Sequence, residues 1–335
     1  MLRHSLPSVL LALALVACPG RNAHVGDGEG EGQGEGEGEG EGEGEGEAPW
    51  CNARIQSVNG EEVPPAASVV PAPLDNVVLT LDNSMPSRPE ATIARYEWTV
   101  VEQPVFSTVQ LTTPSAVSTG FMFDDDLGVD LAGRYRVRGA VFDSDGATSS
   151  CEVAFQAIPR GDFVVQLSWD TPTNDLDLHV TKQGPDGRFC IDATSFDTVI
   201  TGLLSQDCDN NLDCNYSTCR PTSLTTTEWD GAAGRTAGDP TLDIDDLAGF
   251  GPEQLSVDVM TEGSYLIGVD TYSMGQPSGA TVRVFVFGML AAELFAEIDD
   301  GDWFEAAVVR WPADVSTEDP CIEDLTDADA ADDCG

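Results

Sequence analysis

The sequence predicts an all-β protein in which two β-sandwich domains follow a disordered Gly-Glu tether. Residues 26–47 are almost pure Gly-Glu repeats, and such a composition cannot form a hydrophobic core. Behind this tether, short segments of alternating apolar and polar residues are separated by Asp, Asn, Gly and Pro, which is typical of β-sandwiches. The chain also has nine cysteines, a number that favours an exported protein held by disulfides.

The charge of the chain excludes several kinds of partner. Its 335 residues include 59 Asp and Glu against 15 Lys and Arg, for a formal net charge of -44, and Lys182 is the only lysine. Nucleic-acid binding and polybasic membrane binding both need clustered Lys and Arg, so we expect neither. The apolar share of 41% is too high for a wholly disordered acidic chain.

The first 17 residues have the pattern of an export signal. Arg3 and His4 precede an apolar run, 6–17, that is too short to span a bilayer and fits a cleaved signal peptide. The run ends in Leu15-Val16-Ala17-Cys18, which resembles the bacterial lipobox, in which a small residue precedes a diacylated cysteine.

The lipobox resemblance implies that Cys18 is the lipidation site and that the protein reaches the membrane through this anchor. Pro19 follows the cysteine, where Asp would be expected for inner-membrane retention. We therefore expect export from a bacterial cell to the outer membrane or the cell surface. The alternative is an ordinary signal peptide with a chance cysteine.

Residues 18–48 are expected to be a lipid-anchored spacer. Glycine makes the segment flexible, and the repelling carboxylates extend it, so a random coil over 26–47 would span roughly 25 Å before repulsion lengthens it. The tether would hold the folded domains away from the lipid surface. Weak binding of calcium by these flexible carboxylates is a minor alternative.

The first folded domain is expected over residues 49–159. Alternating apolar residues predict strands over 77–81, 94–101, 134–142 and 153–158, with Asp82-Asn83-Ser84 among the turns between them. In the third strand, Tyr135, Val137, Gly139 and Val141 lie on one face. Several short strands of this kind predict a β-sandwich.

Three segments of this domain resemble the PKD type of Ig-like domain. They are Tyr96-Glu97-Trp98, the stretch 131–137 around Tyr135, and the ending 141–151 with its Asp-Ser-Asp-Gly turn. The resemblance covers about 100 residues. It implies that Trp98 lies in the core and that Tyr135 is a corner residue.

The second folded domain is expected over residues 160–312. Strands are predicted over 163–169, 175–180 and 281–287. In 175–180, Leu176, Leu178 and Val180 share the core face, and Asp175, Asp177 and His179 share the other. Residues 290–298 fit either a helix or a strand, but their clean alternation and the following Asp300-Gly301 turn favour a strand paired with 303–311.

This second region resembles the YfaP-like type of exported bacterial β-sandwich. The matching segments are Trp169-Asp170, 175–179, 242–246 with 251–253, and Gly263-Ser264-Tyr265. The resemblance implies a jelly-roll-like or pre-peptidase C-terminal-like sandwich, and it carries no established activity. The sequence departs from the pattern of this family at Cys208–Cys219, a segment that resembles an insertion.

The cysteines that remain after Cys18 form an even set of eight. We expect Cys51 to pair with Cys151 across the first domain, and Cys321 with Cys334 in the acidic tail, 313–335. The other four are expected to form two bridges of undetermined connectivity: Cys190, Cys208, Cys214 and Cys219. A zinc site over 208–219 is the alternative, but the spacing lacks a Cys-x-x-Cys pair and no histidine is near.

Two acidic loops of the second domain are candidates for calcium binding, because Ca²⁺ takes six to eight oxygen ligands. We expect both loops to converge on one ion; the first contains Asp170, Asn174, Asp175 and Asp177, and the second Asp239, Asp243, Asp245, Asp246 and Glu253. The predicted ligands are Asp170, Asp175, Asp177, Asp243, Asp245 and Asp246. Two solvated acidic loops are the alternative. The segment 207–218 begins like an EF-hand but lacks its Gly and its Glu.

The sequence offers few catalytic groups. His179 is the one histidine within a predicted folded domain. It lies beside Asp177 on the same strand face, and we expect it to be half-buried and hydrogen-bonded to a neighbouring carboxylate rather than to act as a general base. Neither Gly-x-Ser-x-Gly nor His-Glu-x-x-His occurs. The favoured hypothesis is therefore a non-enzymatic surface lipoprotein that binds a protein partner or an envelope or extracellular polymer. The alternatives are a carbohydrate- or peptide-acting hydrolase that uses acidic residues near His179, and a structural envelope component.

Overall fold

The computed structural model describes residues 47–191, 204–205, 212–222, 227–247, 249–326 and 334. The signal peptide, Cys18, residues 19–46 of the tether, Cys208 and the EF-hand-like start at 207–211 lie outside the described residues. The described part of the chain contains 21 strands and no helix, which confirms the predicted all-β class. Within it, therefore, no helix of a length and hydrophobicity that could cross a bilayer is found.

The N-terminal sandwich is formed by nine strands in two antiparallel layers. One layer has the order β2-β1-β3-β6-β5, with β7 paired to β6, and the other has the order β4-β8-β9. The strands are β1 (Arg54–Val58), β2 (Glu61–Glu62), β3 (Val77–Thr80), β4 (Ile93–Glu102), β5 (Gln110–Leu111), β6 (Ser118–Phe123), β7 (Asp126–Leu127), β8 (Gly133–Asp143) and β9 (Thr148–Ala157).

The core of this sandwich lies between the two layers, as the alternation of the sequence predicts. Tyr135, Val137 and Val141 of β8 are fully buried, and Trp98 of β4 joins the same cluster. The Tyr135 hydroxyl lies 2.9 Å from both Asp130 Oδ1 and the carbonyl oxygen of Leu131, and its single proton is shared between these two acceptors. Since a buried hydroxyl without a partner is costly, these bonds fix the corner before β8.

The C-terminal sandwich is formed by the remaining strands. Its two five-stranded layers have the orders β15-β16-β10-β18-β19 and β14-β11-β17-β20-β21, and β12 pairs with β13 in parallel. The strands are β10 (Phe163–Trp169), β11 (Asp175–Lys182), β12 (Phe189–Cys190), β13 (Leu204–Ser205), β14 (Asp213–Cys214), β15 (Thr241–Ile244), β16 (Glu253–Val257), β17 (Gly263–Ser273), β18 (Ser278–Val286), β19 (Met289–Ile298), β20 (Trp303–Trp311) and β21 (Cys321–Asp324).

Two details of the C-terminal sandwich follow the predicted period of two. Leu176, Leu178 and Val180 of β11 are all buried in the core between the layers. Strand β19 extends over Met289–Ile298 and pairs with β18, so the strand interpretation of this segment is confirmed over the helical one. The expected pairing of this strand with 303–311 was wrong. The Asp299–Asp302 turn leads the chain into the opposite layer, where β20 pairs with β17 and β21.

The disulfides join the ends of structural units. Cys51–Cys151 and Cys321–Cys334 both form as predicted. Closing a loop of 100 residues lowers the entropy of the unfolded chain enough to stabilise the fold by about 4.7 kcal/mol in the chain-entropy model. Of the remaining four cysteines, Cys214 pairs with Cys219, and Cys190 is also disulfide-bonded.

The two sandwiches contact each other directly. Arg160 donates to both carboxylate oxygens of Asp75, at 2.9 and 2.6 Å, where the chain passes between them. In a second contact, Ala132 of the N-terminal sandwich packs with Val164 and Phe285 of the C-terminal one. The outer face of the β10-β18 layer is therefore covered in part by the N-terminal sandwich.

Candidate metal centre

At one edge of the C-terminal sandwich, the buried carboxylate of Glu253 connects the two layers. Strand β11 pairs with β17 along its length, but among the described residues its other edge pairs with β14 at Val180 and Thr181 alone. Glu253, the first residue of β16 in the opposite layer, is fully buried and accepts the backbone N–H of Leu178 at this edge. The Glu253 carboxylate thus accepts the hydrogen bond that a backbone carbonyl of a neighbouring strand would otherwise accept.

Three acidic side chains meet around this point. One carboxylate oxygen from each of Asp177, Asp245 and Glu253 lies within 4.8 Å of the other two. Calcium binds oxygen at 2.3–2.6 Å, so two ligands of one ion are at most about 5 Å apart. The spacing therefore fits a single ion between β11, the end of β15 and the start of β16.

The same cluster contains carboxylate oxygens that have no hydrogen-bond partner. They are buried, and no donor among the described residues reaches them: Asp175 Oδ1, Asp177 Oδ2, Asp245 Oδ1 and Glu253 Oε1. A buried acceptor without a partner costs about 1–3 kcal/mol, and more when it is charged. Three of these residues form the group that one ion could reach, and Asp175 acts on it electrostatically. This is a strong reason to expect a cation, because it would compensate several carboxylates at once.

The electrostatics of the cluster also favour a bound cation. Burial, reinforced by the charges of Asp245 and Asp246, raises the pKa of Asp175 to about 6. Burial also raises the pKa of Asp177 to about 7, although His179 opposes the rise. The pKa of Glu253 is raised well above its ordinary value by burial and then by Asp177. The carboxylates therefore repel one another and resist ionisation without a counter-ion.

Arg220 supplies part of the missing positive charge. Its Nη1 forms an ion pair with Asp245 Oδ2. Arg220 follows Cys219, whose disulfide to Cys214 restrains the chain just before this contact. One half-exposed guanidinium cannot balance three or four buried carboxylates, so a net negative charge remains for a divalent cation.

His179 lies next to the cluster in a buried polar network. It is 2% exposed, and its Nδ1 is 2.8 Å from Asp213 Oδ2. The Trp303 indole packs edge-to-face on it, with ring centroids 5.3 Å apart. Burial lowers the pKa of His179, but the charge and hydrogen bond of Asp213 outweigh burial and the net shift is upward.

The expected hydrogen bond of His179 to a carboxylate is present, but the expected burial was wrong. The histidine is fully buried rather than half-buried, and the carboxylate is that of Asp213 rather than of its strand neighbour Asp177. Asp213 is on β14, which pairs with β11, 34 residues further along the chain than His179. No spacing rule relates two positions so far apart, and the Trp303 ring that packs on the histidine comes from β20.

The structure brings together part of the predicted ligand set. Asp177 and Asp245, from the two acidic loops, are in the cluster. Asp175 is electrostatically coupled to Asp245 and Asp246. Glu253 was assigned to the second loop but not to the predicted ligands, and it is the most deeply buried carboxylate of the centre.

Two predicted ligands lie elsewhere. Asp170 accepts hydrogen bonds from the Ser278 hydroxyl and from the Gly279 amide, at 3.1 and 2.8 Å. Asp243 is at a bulge in β15 and accepts from Gln254 Nε2 at 3.3 Å. Their bonds are of the kind that hold hairpins and neighbouring strands in register.

Asn174 and Asp239 serve as loop anchors. Asn174 Nδ2 donates to the carbonyl of Gln276 at 2.8 Å. Asp239 accepts the backbone N–H of Trp229 at 2.9 Å. Both residues therefore stabilise loops of this sandwich, and neither belongs to the group of Asp177, Asp245 and Glu253.

Fold and centre together define a class: an all-β protein with two packed sandwiches and an oxygen-rich candidate cation centre at one sheet edge. No protein-family model, curated protein or solved structure matches the chain.

Proposed function

We propose that the protein is a non-enzymatic, lipid-anchored surface protein whose C-terminal sandwich is stabilised by calcium. The observation that carries the proposal is the set of four buried carboxylate oxygens without partners at the β11 edge. A bound Ca²⁺ would neutralise two charges and give these oxygens a common partner. The folded sandwiches are then available to bind a protein partner or an envelope or extracellular polymer.

Calcium fits the ligand chemistry better than other common metals do. All the candidate ligands are carboxylate oxygens, which are hard donors suited to Ca²⁺ or Mg²⁺, whereas zinc favours nitrogen and sulfur. Mg²⁺ demands a near-ideal octahedron and retains several waters, while Ca²⁺ accepts irregular sets of six to eight oxygens. Carboxylates gathered from three strands of two layers form an irregular set.

The surface location is supported by the sequence and by the disulfides together. The Cys51–Cys151, Cys214–Cys219 and Cys321–Cys334 bridges favour an oxidising compartment. The apolar run that ends at Cys18 supplies the export signal and the anchor, and the Gly-Glu tether supplies the distance from the lipid. Calcium is a suitable ligand for a protein outside the cytosol, where weak sites can fill.

The hydrolase alternative has less support. A general base must reach a substrate proton within hydrogen-bond distance, and His179 is packed beneath Trp303 and beside Asp213. The acidic residues next to it are the same ones that form the candidate calcium centre. We therefore assign this region to metal binding.

Calcium is expected to raise the melting temperature of the protein. Binding to the folded state alone contributes about 2.7 kcal/mol at a calcium concentration 100 times Kd. This corresponds to a rise of about 5–10 °C for a domain of 150–250 residues. Differential scanning calorimetry with calcium and with EGTA measures it, and identical melting temperatures over the millimolar range would refute a stabilising calcium site.

Replacing Cys18 with Ser is expected to release the protein from membranes. Diacylation buries many methylene groups, and more than one acyl chain makes attachment stable. Fractionation of the producing bacterium should show the wild type in the membrane pellet and the Cys18→Ser variant in the soluble fraction. Cys321→Ser is the control, because it removes a cysteine without touching the anchor, and membrane retention of Cys18→Ser would exclude this mode of attachment.

A further inference from the structure

Both chain segments that bring Asp245 and Glu253 to the metal centre are connected to the N-terminal sandwich, the first by direct packing and the second through Gln166 of β10. The first segment is the end of β15, and the second is the start of β16. Since each segment carries a ligand and is connected to the other sandwich, the position of the ligands depends on how the sandwiches pack.

Ile244 forms the first connection. It is the last residue of β15, directly before Asp245, and its side chain packs against the core cluster of the N-terminal sandwich rather than against the C-terminal core. The bulge at Asp243 shifts the register so that Leu242 opposes Leu255 and Ile244 opposes Gln254. Leu242 therefore belongs to one sandwich core and Ile244 to the other.

Gln254 forms the second connection. It follows Glu253 in β16, and its Oε1 accepts a hydrogen bond from Gln166 Nε2 at 2.7 Å. Gln166 Oε1 in turn accepts the backbone N–H of Ala132 at 3.3 Å. Gln166 and Gln254 are both buried, so this chain of polar groups is shielded from water and joins the ligand strand to the N-terminal sandwich.

The loop between these two segments faces the N-terminal sandwich as well. Asp246 and Gly249 form one wall of a cleft of about 360 Å³, and the opposite wall comes from β5, β6 and the turn after β6. Asp246 therefore lies between this cleft and the carboxylates, where its charge acts on Asp175.

We propose that the N-terminal sandwich is a positioning element of the calcium centre, so that calcium binding and the packing of the two sandwiches are thermodynamically coupled. This inference rests on the proposed function, because it requires that calcium binds at all. Coupling is reciprocal: if the packed arrangement strengthens calcium binding, calcium must strengthen the packing by the same factor. The ion would then hold the two sandwiches as one rigid unit beyond the tether.

Ile244→Ser tests the coupling from the side of the interface. Isothermal titration with Ca²⁺ on the full folded chain should give a Kd at least tenfold weaker than that of the wild type. Ile244→Val should restore the affinity, because it keeps an apolar side chain in the N-terminal core. The control is Leu247→Ser, in the same loop but 64% exposed, for which an unchanged Kd is expected.

Hydrogen exchange on the wild-type chain tests the same coupling without any substitution. Calcium should slow exchange at backbone amides around Ala132 in the N-terminal sandwich, in addition to those of β11 and β16. Protection confined to the C-terminal sandwich, or an Ile244→Ser variant that folds and binds calcium as the wild type does, would overturn the coupling while leaving the calcium site intact. Failure of the wild type itself to bind calcium would overturn the proposed function, and the coupling with it.

Discussion

Replacing Glu253 with Gln is expected to raise the melting temperature of the calcium-free protein and to abolish its stabilisation by calcium. The amide is nearly isosteric with the carboxylate, and its oxygen can still accept the Leu178 N–H. It removes one negative charge from a buried cluster, and its NH₂ group can donate to a neighbouring carboxylate such as that of Asp177. The wild-type carboxylate is thus unfavourable for folding without an ion and necessary when the ion is present.

The expected size of this effect follows from the cost of an unpartnered buried acceptor. Relief of about 1–3 kcal/mol corresponds to roughly 2–12 °C in melting temperature, at 2–4 °C for each kcal/mol. Scanning calorimetry of wild type and Glu253→Gln, each in EGTA and in calcium, gives the four required values. Only a metal ligand should show a gain in EGTA together with a loss of the response to calcium.

Asp258→Asn is the matched control for this measurement. It makes the same change of charge in the same sandwich, one residue after β16 ends, but its side chain is exposed. Its free energy of unfolding should stay within about 0.5 kcal/mol of wild type, as for most surface substitutions, so its melting temperatures should change by about 2 °C at most. A Glu253→Gln variant that is destabilised in EGTA and still responds to calcium would show that Glu253 is a structural residue and not a ligand.

The strands of this protein could be predicted because their side chains alternate. Phe163–Trp169 and Met289–Ile298 each have a face that is apolar at every second residue, and period two assigns both face and register. The disulfide between Cys51 and Cys151 followed from their positions at the two ends of one predicted domain. Such inferences need only local pattern and chain order.

The metal centre was predictable only in part, because its geometry depends on contacts between distant elements. Asp177 and Asp245 could be proposed because each is in a dense acidic loop. Glu253 was not distinguished from its neighbours because nothing in a sequence shows which carboxylate of a loop turns inward. Among the described residues, no strand pairs with the β14-side edge of β11 before Val180, which creates the demand for a buried acceptor. That edge exists only once the strand order is fixed.

In the absence of divalent cations, the stability of the protein is expected to fall as the pH rises from about 4 to 7. In the folded chain, burial and then the charges of Asp245 and Asp246 raise the pKa of Asp175 to about 6. Burial raises the pKa of Asp177 to about 7. Burial also raises the pKa of Glu253. In the unfolded chain the same groups have pKa values near 4. Between these limits the folded state binds more protons than the unfolded state, so the free energy of unfolding decreases with rising pH.

Calcium should remove this pH dependence, because an ion takes the place of the protons on the same oxygens. In EGTA, the melting temperature at pH 7.5 should be lower than that at pH 5 by at least about 5 °C, given 2–4 °C for each kcal/mol. In saturating calcium the difference should shrink or reverse, since calcium binds best once the carboxylates are ionised. The Glu253→Gln variant should show a smaller drop in EGTA, because it contributes one titrating group fewer.

The opposite sign is the result that would contradict this account. Carboxylates whose pKa is lowered in the folded state stabilise the protein more as the pH rises. Asp143 is one of them, and the hydrogen bond from Ser87 is the largest cause of its lowered pKa. If they dominated, stability in EGTA would increase from pH 5 to pH 7.5, and the buried carboxylates would have to be neutralised by protein groups alone. A drop in EGTA that calcium abolishes is expected only when a few buried carboxylates are compensated by a proton at low pH and by a metal ion at neutral pH.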